Sequence, residues 1–281
     1  MIKYNYHTHT HFCDGSAAPE EYVLAAIKLG MNSLGFSGHA PVPFENNFAI
    51  KNIDSLKAYT KEINELKLKY KGRLDIYLGL EADFIPGTTL DFKNFIQDFG
   101  LDYIIGSVHL VKTEENRLWF IDGPRREIWQ EGLSNYFHND IKTAVTAYYR
   151  QLNEMIDTQK PDIIGHLDKI KMHNHEEYFS EEEDWYLKCV METLEVARDR
   201  GSIIEINTRG VYKKRSASFF PGGRIIREMK KMNIPVCLNA DAHKPAEVGM
   251  YLTEASKVLQ ELGYLEVCVF EDGGWGTTSL T

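Results

Sequence analysis

The residues that end the short apolar segments of this chain constrain its fold more than any other feature. Runs rich in valine, isoleucine and aromatic side chains alternate with longer stretches of helical period, the pattern of repeated βα units around a parallel sheet. Strands are expected at Ile2 to Tyr6, Ser33 to Ser37, Leu74 to Leu80, Asp102 to Val108, Asp162 to Gly165, Ile203 to Asn207 and Val236 to Ala240. Helical patterns fall at Pro19 to Lys28, Ser55 to Tyr70, Ile141 to Thr158, Glu181 to Arg200, Gly223 to Met232 and Leu252 to Leu262. A potential metal ligand follows nearly every strand: His7 and His9, then His39, Glu81, His109, His166, and finally Asp241 and His243. In a parallel barrel the C-terminal strand ends converge on one face, where the βα loops build the active site. Positions 7 and 243 therefore become neighbours.

The 281 residues contain no repeat, low-complexity tract or linker, so one domain over 1–281 is preferred. A chain of this length with 43% hydrophobic residues buries enough apolar surface to fold without staples. Lys112 to Asn139 is rich in charge and aromatics without a clean period, and is expected to be an inserted loop or lid at 112–139. After the apolar run Tyr264 to Phe270, the Gly- and Thr-rich tail is expected to be mobile. Cys13, Cys189, Cys237 and Cys268 form no CxxC pair, which suits a reducing cytoplasm. There is neither a signal-peptide pattern nor an apolar run of roughly 18 residues, so a cytoplasmic protein without a membrane partner is expected.

Imidazole nitrogen and carboxylate oxygen, with no thiolate in the pattern, suit zinc, iron or manganese. The count matters. One tetrahedral ion needs about four donors, whereas His7, His9, Asp14, His39, Glu81, His109, His166, Asp241 and His243 offer nine, enough for two or three ions. In extended segments His7 and His9 point to the same side, as do Asp241 and His243. A carboxylate such as Glu81 can bridge two ions, and a pair of ions roughly 3.5–4 Å apart activates water for phosphoester hydrolysis. A lone His-x-His is common by chance, and His39 alone reads as a loop histidine. Seven strand ends supplied by accident, with few histidines left elsewhere, do not. Of the remainder, His11 is expected to support the site or face solvent, and His138, His173 and His175 are expected at the surface.

HTHTHFCDG from position 7, SGH at 37–39, GLEAD at 79–83, GSVH at 106–109, IGH at 164–166, EINT at 205–208 and NADAH at 239–243 together resemble the motif series of the polymerase and histidinol phosphatase (PHP) superfamily. The likeness covers essentially the whole chain. Within that superfamily FCDG, GLEAD, GSVH and the intervening lid are most similar to the histidinol phosphate phosphatases of histidine biosynthesis. The resemblance implies an α/β fold, a distorted TIM-like (β/α)7 barrel, with three divalent metal ions. It places His7, His9, Glu81 and Asp241 on the first ion, Glu81, His109 and His166 on the second, and Asp14, His39 and His243 on the third. Many relatives carry histidine where Asp14 stands. Zinc is the first expectation, and an oxygen donor at that position keeps iron or manganese open. Asp241 or His243 is the implied catalytic proton donor to the leaving alkoxide.

Phosphate selection calls for a fork of donors, and Arg209, just beyond the strand IIEIN, is the candidate. Lys213, Lys214 and Arg215 extend a basic run of which one member can join it. Arg117 and Glu115, with Trp119 and Phe120, are candidates for closing over the imidazole and ammonium of the substrate. The formal charge is −9, from 32 basic and 41 acidic residues. Three divalent ions against the carboxylates Asp14, Glu81 and Asp241 would leave the pocket near +3 and the loaded protein near −3. That balance suits a small-molecule phosphate monoester and disfavours long nucleic acid. Two alternatives stand beside it: a PHP phosphoesterase for a small nucleotide, and a non-catalytic metal-binding module. The pattern specifies no oligomeric state.

Overall fold

The computed structural model describes residues 2–280. In chain order it begins β1 (Tyr4–Asn5), α1 (Pro19–Lys28), β2 (Ser33–His39), α2 (Ile53–Lys69), β3 (Asp75–Asp83), α3 (Phe92–Phe99) and β4 (Tyr103–Ser107). It continues β5 (Leu110–Lys112), β6 (Leu118–Phe120), α4 (Arg126–Phe137), α5 (Ile141–Gln159), β7 (Ile163–Ile164), α6 (Asp184–Arg200) and β8 (Ile203–Asn207). The last third is α7 (Arg209–Tyr212), α8 (Gly223–Lys231), β9 (Val236–Asn239), α9 (Leu252–Glu261), β10 (Glu266–Glu271) and β11 (Gly274–Ser279).

Strands β1, β2, β3, β4, β7, β8 and β9 are hydrogen-bonded neighbours in that order, and every pairing is parallel. All seven residues of β2 are buried, as expected of a strand covered on both faces. The two outer strands meet at a seam. Thr8 bridges Ala242 in parallel; the His9 amide donates to Ala242 O at 2.8 Å, and the Ala242 amide to His7 O at 3.0 Å. Below this bridge two asparagines stand in for the ladder: Asn239 Oδ1 accepts from the Tyr6 amide (2.8 Å) and Asn5 Oδ1 from the Ala240 amide (2.9 Å). The result is a nearly closed, distorted TIM-like barrel, as the βα alternation predicts. Its interior holds Tyr103, whose ring lies where a Cβ on Gly79 would stand 2.5 Å from Cζ. Only glycine leaves that space.

Two segments differ from expectation. The stretch expected as an irregular lid is an antiparallel hairpin, β5–β6, followed by the twelve-residue helix α4. Trp119 and Trp129 are buried with ring centroids 5.4 Å apart, and Trp119 Nε1 donates to Trp129 O at 2.9 Å. The aromatics that blur the period are the packing that orders the segment. The Gly- and Thr-rich tail is likewise ordered, as β11 paired antiparallel with β10. Trp275 packs edge-on against Tyr6, Tyr103 and Phe270 and donates to Asp162 at 3.2 Å, so this hairpin plugs the N-terminal end of the barrel.

Candidate metal centre

The opposite, C-terminal end of the barrel gathers the donors. Glu81 lies near the end of β3, and Ser107, the last residue of β4, donates its hydroxyl to Oε1 at 2.7 Å. The two carboxylate oxygens face different histidines. Oε2 lies 3.2 Å from His7 Nε2, 3.4 Å from His9 Nε2 and 3.2 Å from His39 Nδ1. Oε1 lies 2.9 Å from His166 Nε2 and 3.4 Å from His109 Nε2. Asp241 Oδ1 stands 3.8 Å from His7 Nε2, 3.5 Å from His9 Nε2 and 3.3 Å from His243 Nδ1. Asp14 completes a third group at the rim, 3.1 Å from His243 Nε2, 3.6 Å from His9 Nδ1 and 3.8 Å from His39 Nε2. All nine donors thus converge, and among the described residues they supply the sets His7–His9–Glu81, Glu81–His109–His166 and His9–Asp14–His39–His243.

The chemistry of the set fits divalent cations. His7 Nε2, His9 Nε2 and His39 Nδ1 are buried ring nitrogens without a hydrogen-bond partner, an expensive arrangement unless something else satisfies them. His109 Nε2 and His166 Nε2 approach to 3.1 Å, two ring nitrogens converging on one point. Burial pushes the His9 and His166 rings below their ordinary value, so both are neutral and able to ligate. Burial would push the Glu81 carboxyl up, but His7, His109 and His39 hold it well below the carboxylate range. Cys13 lies 3.5 Å from His9 Nδ1, yet burial and Asp14 push its thiol up to about 12, so it remains a protonated small residue.

Several supporting residues were not singled out from the sequence. Glu205, fully buried on β8, accepts from the His166 amide (3.0 Å), Asn207 Nδ2 (2.9 Å) and Asn239 Nδ2 (3.0 Å), and lies against His7 Nδ1. Asp83 Oδ1 accepts from the His109 amide at 2.9 Å and meets its Nδ1 at 3.0 Å, which turns Nε2 toward Glu81. A carboxylate inside a buried strand, as in IIEIN and GLEAD, is the signal that marks both. Asp241 itself has φ +51°, a left-handed backbone that its carbonyl contacts stabilise: Arg209 Nη1 at 2.8 Å, Tyr212 OH at 3.1 Å and His243 Nδ1 at 3.1 Å.

Arg209 and Arg215 line the cleft with Lys169, and Arg209 is also 3.4 Å from Glu247. Lys213 instead pairs with Glu247 at 3.0 Å, and Lys214 is exposed. The structure does not bring Arg117 and Glu115 to the cleft. The Thr113–Arg117 backbone turn puts them at the tip of the β5–β6 hairpin, 3.4 Å from each other, with side chains 58% and 79% exposed. Phe120 and Asp122 from the same segment do line it. His11, His138 and His175 are exposed, as expected. His173 is not: it is buried, with Nε2 2.9 Å from Gly123 O, because it pins the segment after β6.

Residues 5–209 match the PHP domain family. A Deinococcus radiodurans protein named "Probable histidinol-phosphatase" is 32% identical over 260 residues, 92% of this chain and 92% of that one. The Bacillus subtilis histidinol-phosphatase is 29% identical over 269 residues, 91% of this chain and 98% of its own. The crystal structure of Lactococcus lactis histidinol phosphate phosphatase, complexed with zinc, L-histidinol and phosphate, shares the fold with a TM-score of 0.71 at 20% identity, covering 98% of both chains. No helix among the described residues is long and apolar enough to cross a membrane. From motifs, barrel and relatives alike, the chain belongs to the PHP domain family.

Proposed function

We propose that this protein is a metal-dependent histidinol-phosphatase that hydrolyses L-histidinol phosphate to L-histidinol and phosphate at a trinuclear centre. The observation that carries the reading is Glu81, whose two oxygens face two separate groups of histidines. The curated relatives with that name, and the ligands of the L. lactis enzyme, support the substrate. His7, His9, Glu81 and Asp241 would hold one ion, Glu81, His109 and His166 a second, and Asp14, His39 and His243 a third; zinc is preferred, with iron or manganese as alternatives. Bound there, divalent ions supply neutralisation of the phosphoryl oxygens and acidification of a water nucleophile.

The chain's own residues do the rest. Arg209, Arg215 and Lys169 set three cations around the cleft mouth and orient the phosphate dianion. Asp241 and His243, 3.3 Å apart, are placed to orient a nearby water that gives its proton to the departing alcohol oxygen. The buried side chains of His7, His9, His166 and Glu81 keep bulk water from the reacting centre. The four free cysteines support a cytoplasmic location.

The test measures turnover and metal content on one preparation, with L-histidinol phosphate, nucleoside monophosphates and p-nitrophenyl phosphate as substrates. L-Histidinol phosphate is expected to be preferred, with activity lost on chelation or in His9→Ala and restored to the wild type by zinc, iron or manganese. Faster turnover of a nucleotide, or no hydrolysis after reconstitution with any of the three, would overturn the reading.

A further inference from the structure

Four carboxylates line the cleft: Asp14, Glu81, Asp122 and Asp241. Three of them lie among the histidines of the donor set. Asp122 is the exception, carried by the segment after β6. Its Oδ2 faces Lys169 Nζ at 3.5 Å and His109 Nε2 at 3.8 Å. Its Oδ1 is buried without a hydrogen-bond partner and Oδ2 has only those longer contacts, so the carboxylate is a costly, under-satisfied anion in the cleft wall until a donor binds beside it. Beside it Phe48 and Phe120 stack with centroids 5.8 Å apart, and both line the cleft. Phe48 also meets His39 edge-on at 5.3 Å, so this aromatic wall abuts the donor set. His173, against Gly123 O, holds the segment in place.

We infer that the Asp122 carboxylate receives the ammonium group of the substrate's leaving alcohol, with Phe48 and Phe120 covering the carbon skeleton. The inference rests on the phosphatase reading above and names the subsite that selects cationic phosphate monoesters. A short carbon chain separates ester oxygen from ammonium in histidinol phosphate, so the counter-charge must stand close to the phosphate site yet outside the donor set. Asp122 meets both conditions. Lys169 approaches Oδ2 only to 3.5 Å, beyond a good hydrogen bond, and leaves that oxygen room for a second cation. A phosphate monoester without a cation would cover the carboxylate without pairing it, so the site rejects it as well as failing to attract it. Glu115, the acid expected in this role, lies at the exposed hairpin tip.

The test uses Asp122→Asn and a matched pair of substrates, O-phosphoethanolamine and ethyl phosphate, which differ chiefly in the ammonium. L-Histidinol affinity by calorimetry and metal content are measured on the same preparations. The wild type is expected to prefer the ammonium substrate. The variant should lose that preference by about 10- to 150-fold, the range for a hydrogen bond to a charged group, and L-histidinol affinity should fall by a similar factor with metal retained. An equal fall for both substrates, loss of metal, or an unchanged preference and affinity would overturn the assignment. Failure of the wild type to hydrolyse L-histidinol phosphate would count against the proposed function alone, because the matched pair and L-histidinol binding still decide the role of Asp122.

Discussion

His7 Nδ1 and Glu205 Oε1 lie 2.7 Å apart although 198 positions separate them in the chain. Both are wholly buried. Burial would raise the Glu205 carboxyl, and His7 holds it below the ordinary range instead. A carboxylate there fixes the His7 tautomer and points Nε2 at Glu81. Glu205→Gln is therefore expected to fold and to lose about 10- to 100-fold in metal affinity or turnover. Metal titration followed by activity assay checks this; full affinity with full turnover would deny Glu205 the orienting role.

Metal uptake should release protons. In chelator-stripped protein burial would lower the His7 pKa, but Glu205, Glu81 and Asp241 raise it well above 6.5. Burial likewise opposes Asp83, Asp122 and Glu81 at His109, and the carboxylates win, at about 10. Both rings therefore hold protons at neutral pH, and binding releases about two. Calorimetry in buffers of different ionisation enthalpy measures the number, and no release would contradict it. A raised imidazole pKa contributes stability that is complete below the ordinary 6.5 and lost as pH rises through about 10. The melting temperature of the stripped protein should fall across that window.

The barrel seam is open to a stability test. In Asn239→Leu the buried Tyr6 amide loses its acceptor, at a cost of about 1–3 kcal/mol. Urea denaturation of stripped protein separates this from metal effects. A cost under about 0.5 kcal/mol would mean that the amide finds another partner.

Gly132 lies inside α4, where alanine ordinarily gains up to about 1 kcal/mol. Here its Cβ would run into the Trp119 ring. Gly132→Ala is expected to destabilise the protein by about 1–3 kcal/mol, with a shift in tryptophan emission. Increased stability would show that the Trp119–Trp129 pair yields easily.

What was legible in the sequence was whatever a strand end announces. The seven parallel strands and the nine converging donors follow from period and position, since a buried strand carries its neighbouring side chains to a fixed place. Asp122 was hidden because its placement depends on how a hairpin folds back over the barrel mouth, which no local period encodes, and Lys169 because it lies in a short helical turn after β7, where no period marks which side chain faces the cleft. Glu115 and Arg117 miss the cleft for the same reason: the turn places them at the exposed tip of that hairpin. The tail looked mobile because glycine and threonine dominate it, whereas one side chain, Trp275, anchors it through contacts with Tyr6, Tyr103 and Phe270.

The Thr8–Ala242 bridge has a consequence in time as well as in space. His7 and His9 leave the ribosome long before their partners Asp241 and His243. A nascent chain folds from its N-terminal end, so the early strands must wait, half-covered, for the final one. The cluster is thus complete only once His243 has emerged, and a product terminated before Asp241 has neither a closed barrel nor all nine side chains.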